Sequence, residues 1–196
     1  MKNKARMTII PTALPEVLMI QPKKFEDDRG WFMESFRRDL LERAAGRSID
    51  FCQDNSAHSQ YGVIRGLHYQ MPPHAQSKLV SVQHGKILDV VVDIRKGSPY
   101  FGQYIAVELS SKNQKQLFIP RGFAHGYACL SETSLVSYKV DHYYNKASEG
   151  SIAYDDPQLN IDWQIPKAQQ SLSPKDRVHP LLAEVRLFDY NLSQYD

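Results

Sequence analysis

The run KILDVVVDIR, residues 86–95, alternates strictly. Leu88, Val90, Val92 and Ile94 fall on one side, and Ile87, Asp89, Val91 and Asp93 on the other. A period of two predicts a strand, and apolar residues on both sides predict one covered on both faces. Similar short runs follow: YIAVEL, KQLFI, HGYACL and TSLVSYKV, divided by the turn-forming stretches RKGSPYFG, SSKNQ and PRGF. GVIRGLHYQ, residues 62–70, reads as another strand. One segment departs from this period. RRDLLERAAG, residues 37–46, predicts a helix that stops at Gly46. After Asn145 the chain becomes rich in Pro and Asp and predicts loops packed over a barrel, with a short helix near PLLAEVRLF. Many short strands at regular spacing predict an all-β fold. A jelly-roll barrel with short peripheral helices suits it best, because that form hides strand edges and can enclose a cavity.

The bulk composition narrows the function classes. The chain has 196 residues, 42% hydrophobic and 23% charged, ordinary values for one globular domain with a real core. We read residues 1–15 as a leader whose order the pattern leaves open, and 16–196 as a single domain. Net charge is +2, from 24 basic and 22 acidic residues. That balance argues against nucleic acid as a partner but leaves room for a local basic pocket facing one phosphorylated small molecule. No stretch approaches the ~18 apolar residues that suggest a membrane span, and the N-terminal apolar run stops at Pro11, so it makes a poor signal peptide. Cys52 and Cys129 fit neither a disulfide framework nor a CxxC metal site; reduced thiols in a cytoplasmic protein are the simpler reading.

The chemistry begins at His68. Gly62, then five residues, then His68, with Gly85 closing the segment, resembles the first motif of the cupin superfamily; Pro120, Gly122 and His125 resemble the second. In metal-binding cupins these motifs supply two His, a Glu and a later His. Here Gln70 stands in place of the second His, and Lys78 lies where the Glu is expected. An ammonium repels a divalent ion and offers it no lone pair, and an amide is a poor ligand for zinc. The reading is a cupin-type barrel without metal or other cofactor, working by acid–base chemistry.

Eight segments in order, FEDDRGWFMESF, QDNSAHSQYGVIRGLHYQ, AQSKLVSV, GKILDVVVDIRKGSPYFG, IPRGFAHGYACLSE, SYKVDHYY, YDDPQLNIDW and LSPKD, closely resemble the dTDP-4-dehydrorhamnose 3,5-epimerases. That resemblance implies inversion of C3 and C5 of a 4-keto-6-deoxyhexose carried on dTDP. Both carbons lie α to the ketone, so each inversion needs a base, enolate stabilisation, and an acid on the other face. His68 matches the family's base, and imidazole titrates in the useful range. Asp176 matches the carboxylate that holds it, Lys78 the charge near the developing enolate oxygen, and Tyr138 the proton donor. The resemblance also implies substrate contacts. Arg29 and Glu34 belong to the nucleotide end, with Gln53 and Asn55 as polar contacts and Phe25 as a stacking ring. Arg65 and Lys175 go to the diphosphate, His125 to the sugar, and Tyr144 and Glu149 to the far rim. Asp89 either orients His68 or simply pairs with Lys78.

Strand parity raises one conflict. On a regular strand His68, Gln70, Gly66 and Ile64 share a face, which turns Arg65 away from it. A bulge at Gly66 is the device that re-aims Arg65. His58, His74, His84, His142 and His179 match no role and read as surface or loop residues. Family resemblance further implies a homodimer with exchanged strands, the segment EVLMIQPKKF supplying the exchanged edge and Arg29 and Glu34 serving the neighbour's site. Two alternatives stay open at this point. One is a sister enzyme that inverts a single carbon; the other is a non-catalytic sugar-nucleotide binder or a metal-dependent cupin.

Overall fold

The computed structural model describes residues 6–195. Fifteen strands follow in chain order. They are β1 (Met7–Pro11), β2 (Leu18–Pro22), β3 (Phe25–Asp27), β4 (Gly30–Phe32), β5 (Gln53–Gln60), β6 (Ile64–Gln70), β7 (Lys78–His84), β8 (Lys86–Asp93), β9 (Arg95–Lys96), β10 (Tyr104–Ser110), β11 (Gln116–Ile119), β12 (Phe123–Cys129), β13 (Thr133–Val140), β14 (Glu149–Ser151) and β15 (Phe188–Asp189). The single α-helix among the described residues, α1, spans Arg38–Ala45. It ends where the sequence predicts, with Gly46 left-handed at φ 67° and donating its N–H to the Glu42 carbonyl. The PLLAEVRLF segment forms only one 3-10 turn, Leu182–Glu184, and then β15.

Two antiparallel sheets face each other. One orders β1-β2-β11-β7-β13-β5 and the other β10-β8-β12-β6-β14. This is the cupin-type jelly roll. The alternation in β8 sorts as the sequence predicts. Ile87 and Val91 enter the core between the sheets, beside Val80, Leu117, Phe123 and Val136. Leu88, Val90 and Val92 enter a second core on the outer face, closed by Ile152, Trp163, Leu172 and Phe188 from the C-terminal loops. A third core packs Leu41 of α1 and Ile49 against Leu18, Ile20, Leu79 and Phe118 on the outside of the six-stranded sheet. With both faces of its sheets thus covered, the domain buries its apolar residues in three layers.

Part of the expected leader, residues 1–15, is built into the larger sheet. Met7–Pro11 is the edge strand of the larger sheet, paired antiparallel with β2, and the Met7 side chain is buried. Ile9 also packs on the third core, so this segment has apolar surface to bury and a strand edge to pair with. Residues 1–5 of that leader lie outside the described residues.

Candidate active site

The space between the sheets is apolar at one end and polar at the other. Even-numbered residues of β7 and β13 point inward, as do odd-numbered residues of β5, so Lys78, Tyr138, Gln53 and Asn55 converge from the six-stranded sheet. The opposite wall comes from β6, β8 and β12. Its inward residues are Arg65, His68, Gln70, Asp89, His125 and Tyr127. Two adjoining pockets result, sharing His68, Lys78 and Tyr138. The inner one, of about 220 Å³, is also lined by Arg65, His125, Tyr127 and Asp176. The outer one, of about 340 Å³, is also lined by Gln53, Asn55, Gln70, Tyr144 and Glu149.

Arg65 resolves the parity conflict. Against β12, His68 pairs with His125 but Arg65 pairs with Tyr127, so three steps on β6 match two on β12. The extra residue is a β-bulge at Gly66, which has φ 114°. A Cβ there would lie 2.6 Å from the Gly126 Cα and 2.7 Å from the His125 oxygen, so only glycine allows the two backbones this close. Past the bulge the faces switch. Arg65 joins His68 in the cavity, while Ile64 packs outside with Leu67 and Tyr69. The expectation that Ile64 and Gly66 share the face of His68 is therefore corrected. The Arg65 guanidinium donates to Ser59 Oγ at 3.1 Å and to the His58 carbonyl at 3.1 Å, and Ser59 in turn bonds the Tyr127 hydroxyl at 3.0 Å.

His68 meets Asp176 through Nε2 to Oδ1 at 2.7 Å. The carboxylate arrives from far along the chain because Ser171 bridges the start of β6: Ile64 N–H donates to the Ser171 carbonyl and Ser171 N–H to the Gly62 carbonyl. Ser173 completes the holder. Its hydroxyl donates to Asp176 Oδ2 at 2.6 Å and accepts from the Asp176 N–H at 3.1 Å. Burial opposes ionisation of Asp176, but the hydrogen bonds from His68 and Ser173 more than offset it and hold the pKa at about 2. Ser173 was missed at the sequence level, although a serine three residues before an aspartate is a legible capping pattern.

Lys78 is buried, with Nζ 3.4 Å from the His68 carbonyl. Burial pushes its pKa down to about 8, against the attraction of Asp89 and Glu149. Burial likewise raises the Tyr138 phenol, partly countered by Arg65, so the phenol holds its proton firmly at neutral pH. Asp89 attracts Lys78 through its charge, but its hydrogen bond goes to a different histidine from His68. Its Oδ1 pairs with His125 Nε2 at 2.7 Å, because His125 and Asp89 lie on adjacent strands with inward side chains. Burial lowers the His125 pKa, with Asp89 opposing. At the outer rim Lys175 Nζ bonds Glu149 at 2.5 Å, and the Tyr144 hydroxyl donates to Glu149 at 3.2 Å.

The donor set at the metal position of cupins does not suit a divalent ion. The Gln70 amide is spent on the His74 carbonyl and the Asn145 N–H, His125 is tied to Asp89, and Lys78 occupies the remaining corner.

Three expected contacts do not reach this cavity within one chain. Phe25 and Arg29 lie on the β3–β4 hairpin, which joins neither large sheet and lines its own exposed pocket with Trp31 and Phe32. Arg29 there bonds Asp27 at 2.5 Å. Glu34 accepts from Arg6 at 2.7 Å and from Arg37 at 3.5 Å. His179, expected on the surface or in a loop, lies in a loop but not on the surface. Its side chain is only 4% exposed, its ring packs edge-on against His68 at 5.4 Å, and Asp176 Oδ1 is 3.7 Å from its Nε2.

Comparison with known proteins fits this geometry. A sequence model of the family described as dTDP-4-dehydrorhamnose 3,5-epimerase matches residues 11–184. The chain is 48% identical to a dTDP-4-dehydrorhamnose 3,5-epimerase of Shigella flexneri, over 87% of this chain and 93% of that one. It superposes with a TM-score of 0.90 at 48% identity on the dTDP-6-deoxy-D-glucose-3,5-epimerase of Legionella pneumophila, solved in complex with dTDP-4-keto-L-rhamnose, covering 95% of this chain and all of that one. It also resembles a 3'-monoepimerase of Streptomyces bikiniensis solved with dTDP-quinovose, at TM-score 0.82 and 31% identity, covering 88% and 87% of the two chains. The chain belongs to the dTDP-4-dehydrorhamnose 3,5-epimerase family and is an isomerase.

Proposed function

We propose that the protein epimerises dTDP-4-dehydro-6-deoxy-D-glucose at C3 and C5, yielding dTDP-4-dehydro-L-rhamnose for dTDP-L-rhamnose and surface polysaccharide synthesis. The observation that carries this reading is that the His68–Asp176 dyad faces Tyr138 across one cavity, with Lys78 on the strand next to that of Tyr138. Inversion requires proton removal on one face of the sugar and delivery on the other.

With Nε2 donating to Asp176, Nδ1 is the basic nitrogen of His68. It takes the proton from C3 or C5, and the Asp176 carboxylate stabilises the imidazolium that forms. Charge moves onto the C4 oxygen, where the buried Lys78 ammonium acts in a low-dielectric setting. Tyr138 then gives its proton to the opposite face of the same carbon. Solvent restores the phenol and takes the proton from His68. Asp89 holds His125 toward the sugar. Arg65 and Lys175 supply cations for the diphosphate, and Gln53, Asn55, Tyr144 and Glu149 line the outer pocket that receives the rest of the nucleotide. Phe25, Arg29 and Glu34 serve the site of a second copy in a homodimer. The exposed aromatic face of their hairpin supports that reading.

Inversion at one carbon alone is the second reading, and the likeness to the monoepimerase supports it. Incubation of the substrate in D2O, read by NMR, separates the two. Deuterium at both C3 and C5 is expected; deuterium at one carbon defeats the double epimerisation, and none at either defeats the catalytic reading altogether. His68→Ala is expected to abolish exchange at both positions. Tyr138→Phe is expected to slow turnover by about 10²–10⁴-fold.

A further inference from the structure

Asp176 has a neighbour that the reaction does not use. The His179 imidazole is packed behind the dyad with both ring nitrogens buried, and neither has a hydrogen-bond partner among the described residues. The Ile152 carbonyl approaches the ring without reaching hydrogen-bond geometry. A neutral imidazole carries one N–H and one bare lone pair. Here an unsatisfied ring faces a carboxylate oxygen 3.7 Å from Nε2. What that arrangement lacks is a cation. A proton is disfavoured there, since burial lowers the His179 pKa and His68 adds to the effect.

We propose that His68, Asp176 and His179 form a binding site for a borderline transition-metal cation such as Zn2+, and that the bound cation disables the His68–Asp176 dyad. One ligand atom from each residue lies within 4.8 Å of the others. Zinc holds nitrogen and oxygen ligands at about 2.0–2.2 Å, which puts tetrahedral ligand atoms roughly 3.3 Å apart. The His68–Asp176 pair, at 2.7 Å, opens slightly and the His179–Asp176 pair, at 3.7 Å, closes slightly. The remaining pair, within 4.8 Å, has to close to the same spacing when the ion binds. Two imidazoles and a carboxylate are the ligand types zinc prefers, and the open fourth position is left to water. Binding at Nε2 moves the His68 proton to Nδ1, so the nitrogen that abstracts a substrate proton no longer has a free lone pair, and the carboxylate that orients the ring is spent on the metal. Lys78, the cation that spoils the cupin metal position, meets the His68 carbonyl and interacts with Asp89 and Glu149.

This inference goes beyond the epimerase reading and is tested on the protein without substrate. Full-length protein stripped with a chelator is titrated with Zn2+ by calorimetry, and with Co2+ to read coordination from the visible spectrum. One site per chain is expected, with a four-coordinate Co2+ spectrum. His179→Gln keeps much of the side-chain volume but supplies a poor zinc ligand, and is expected to weaken binding about tenfold or more. His74→Ala is the control, because the His74–His142 pair, 3.4 Å apart, brings together two imidazoles at a different place. It is expected to bind as wild type. Absence of saturable one-per-chain binding, equal loss in both variants, or wild-type affinity in His179→Gln overturns the proposal. Should His179→Gln not fold, nitrogen NMR of the wild-type imidazoles decides: one equivalent of Zn2+ must shift the ring nitrogens of both His68 and His179, and failure of either is fatal.

Discussion

Replacing Lys78 by Met should make the protein more stable and less active at pH 7. Lys78 is 91% buried, and its pKa falls from 10.5 to about 8. The displacement is about 2.5 pH units, and each unit corresponds to 1.36 kcal/mol, so carrying this ammonium in the fold costs about 3 kcal/mol. The sign follows from proton counting. Between pH 8 and 10.5 the folded chain binds fewer protons at Lys78 than the unfolded chain, so wild-type stability rises with pH across that window. Met has similar length and no charge, and it leaves that dependence out. The gain at pH 7 will fall short of the full 3 kcal/mol, because Asp89 and Glu149 lose a cation and Asp89 Oδ2 already lacks a hydrogen-bond partner. The pH trend escapes that correction. Urea unfolding of both proteins at fixed concentration, from pH 7 to 10, should show the advantage of Lys78→Met shrinking by about 2–3 kcal/mol. Epimerase turnover should drop by roughly 10²–10³-fold, the scale for removing a donor at a developing oxyanion. A stability difference that stays flat across that pH range would refute the reasoning.

Asp176→Asn is expected to cut turnover by two orders of magnitude or more, since the amide favours the wrong His68 tautomer. The same variant should lose roughly 2 kcal/mol at neutral pH. The wild-type carboxylate has its folded pKa depressed to about 2 from 3.8, so its contribution is full above pH 4 and disappears as pH falls through about 2. Acid unfolding curves of the two proteins should therefore converge near pH 2. Gly66→Ala should cost about 2–3 kcal/mol or more in thermal or urea unfolding and remove most activity. Its Cβ would collide with β12 at 2.6 Å and its φ of 114° disfavours any side chain, so the bulge that aims Arg65 would have to shift. Unchanged stability in this variant would mean the two backbones can separate freely.

Much of this molecule is legible along the chain. The alternation in β8 and the helix stop at Gly46 follow from periods of two and turn residues, and His68, Lys78, Tyr138 and Asp176 are marked by the resemblance of ordered segments to one family. Such signals are local, and a strand's parity needs no knowledge of its partner. Other features were set by contacts the chain order does not express. Arg65 reaches the cavity because one residue is added to β6 but not to β12, and a bulge is defined only by the strand opposite it. Asp89 serves His125 and not His68 because β8 and β12 are neighbours. The strand at Met7–Pro11 exists because β2 offers it an edge, and the β3–β4 hairpin carries Phe25 and Arg29 away from the site because it pairs only with itself. His179 became buried against His68 through the fold-back of the C-terminal loop. Period and motif determined which side chains could do chemistry. Pairing between distant strands and the closure of a loop over one sheet decided which of them meet, because burial and hydrogen bonding are satisfied in space and not along the chain.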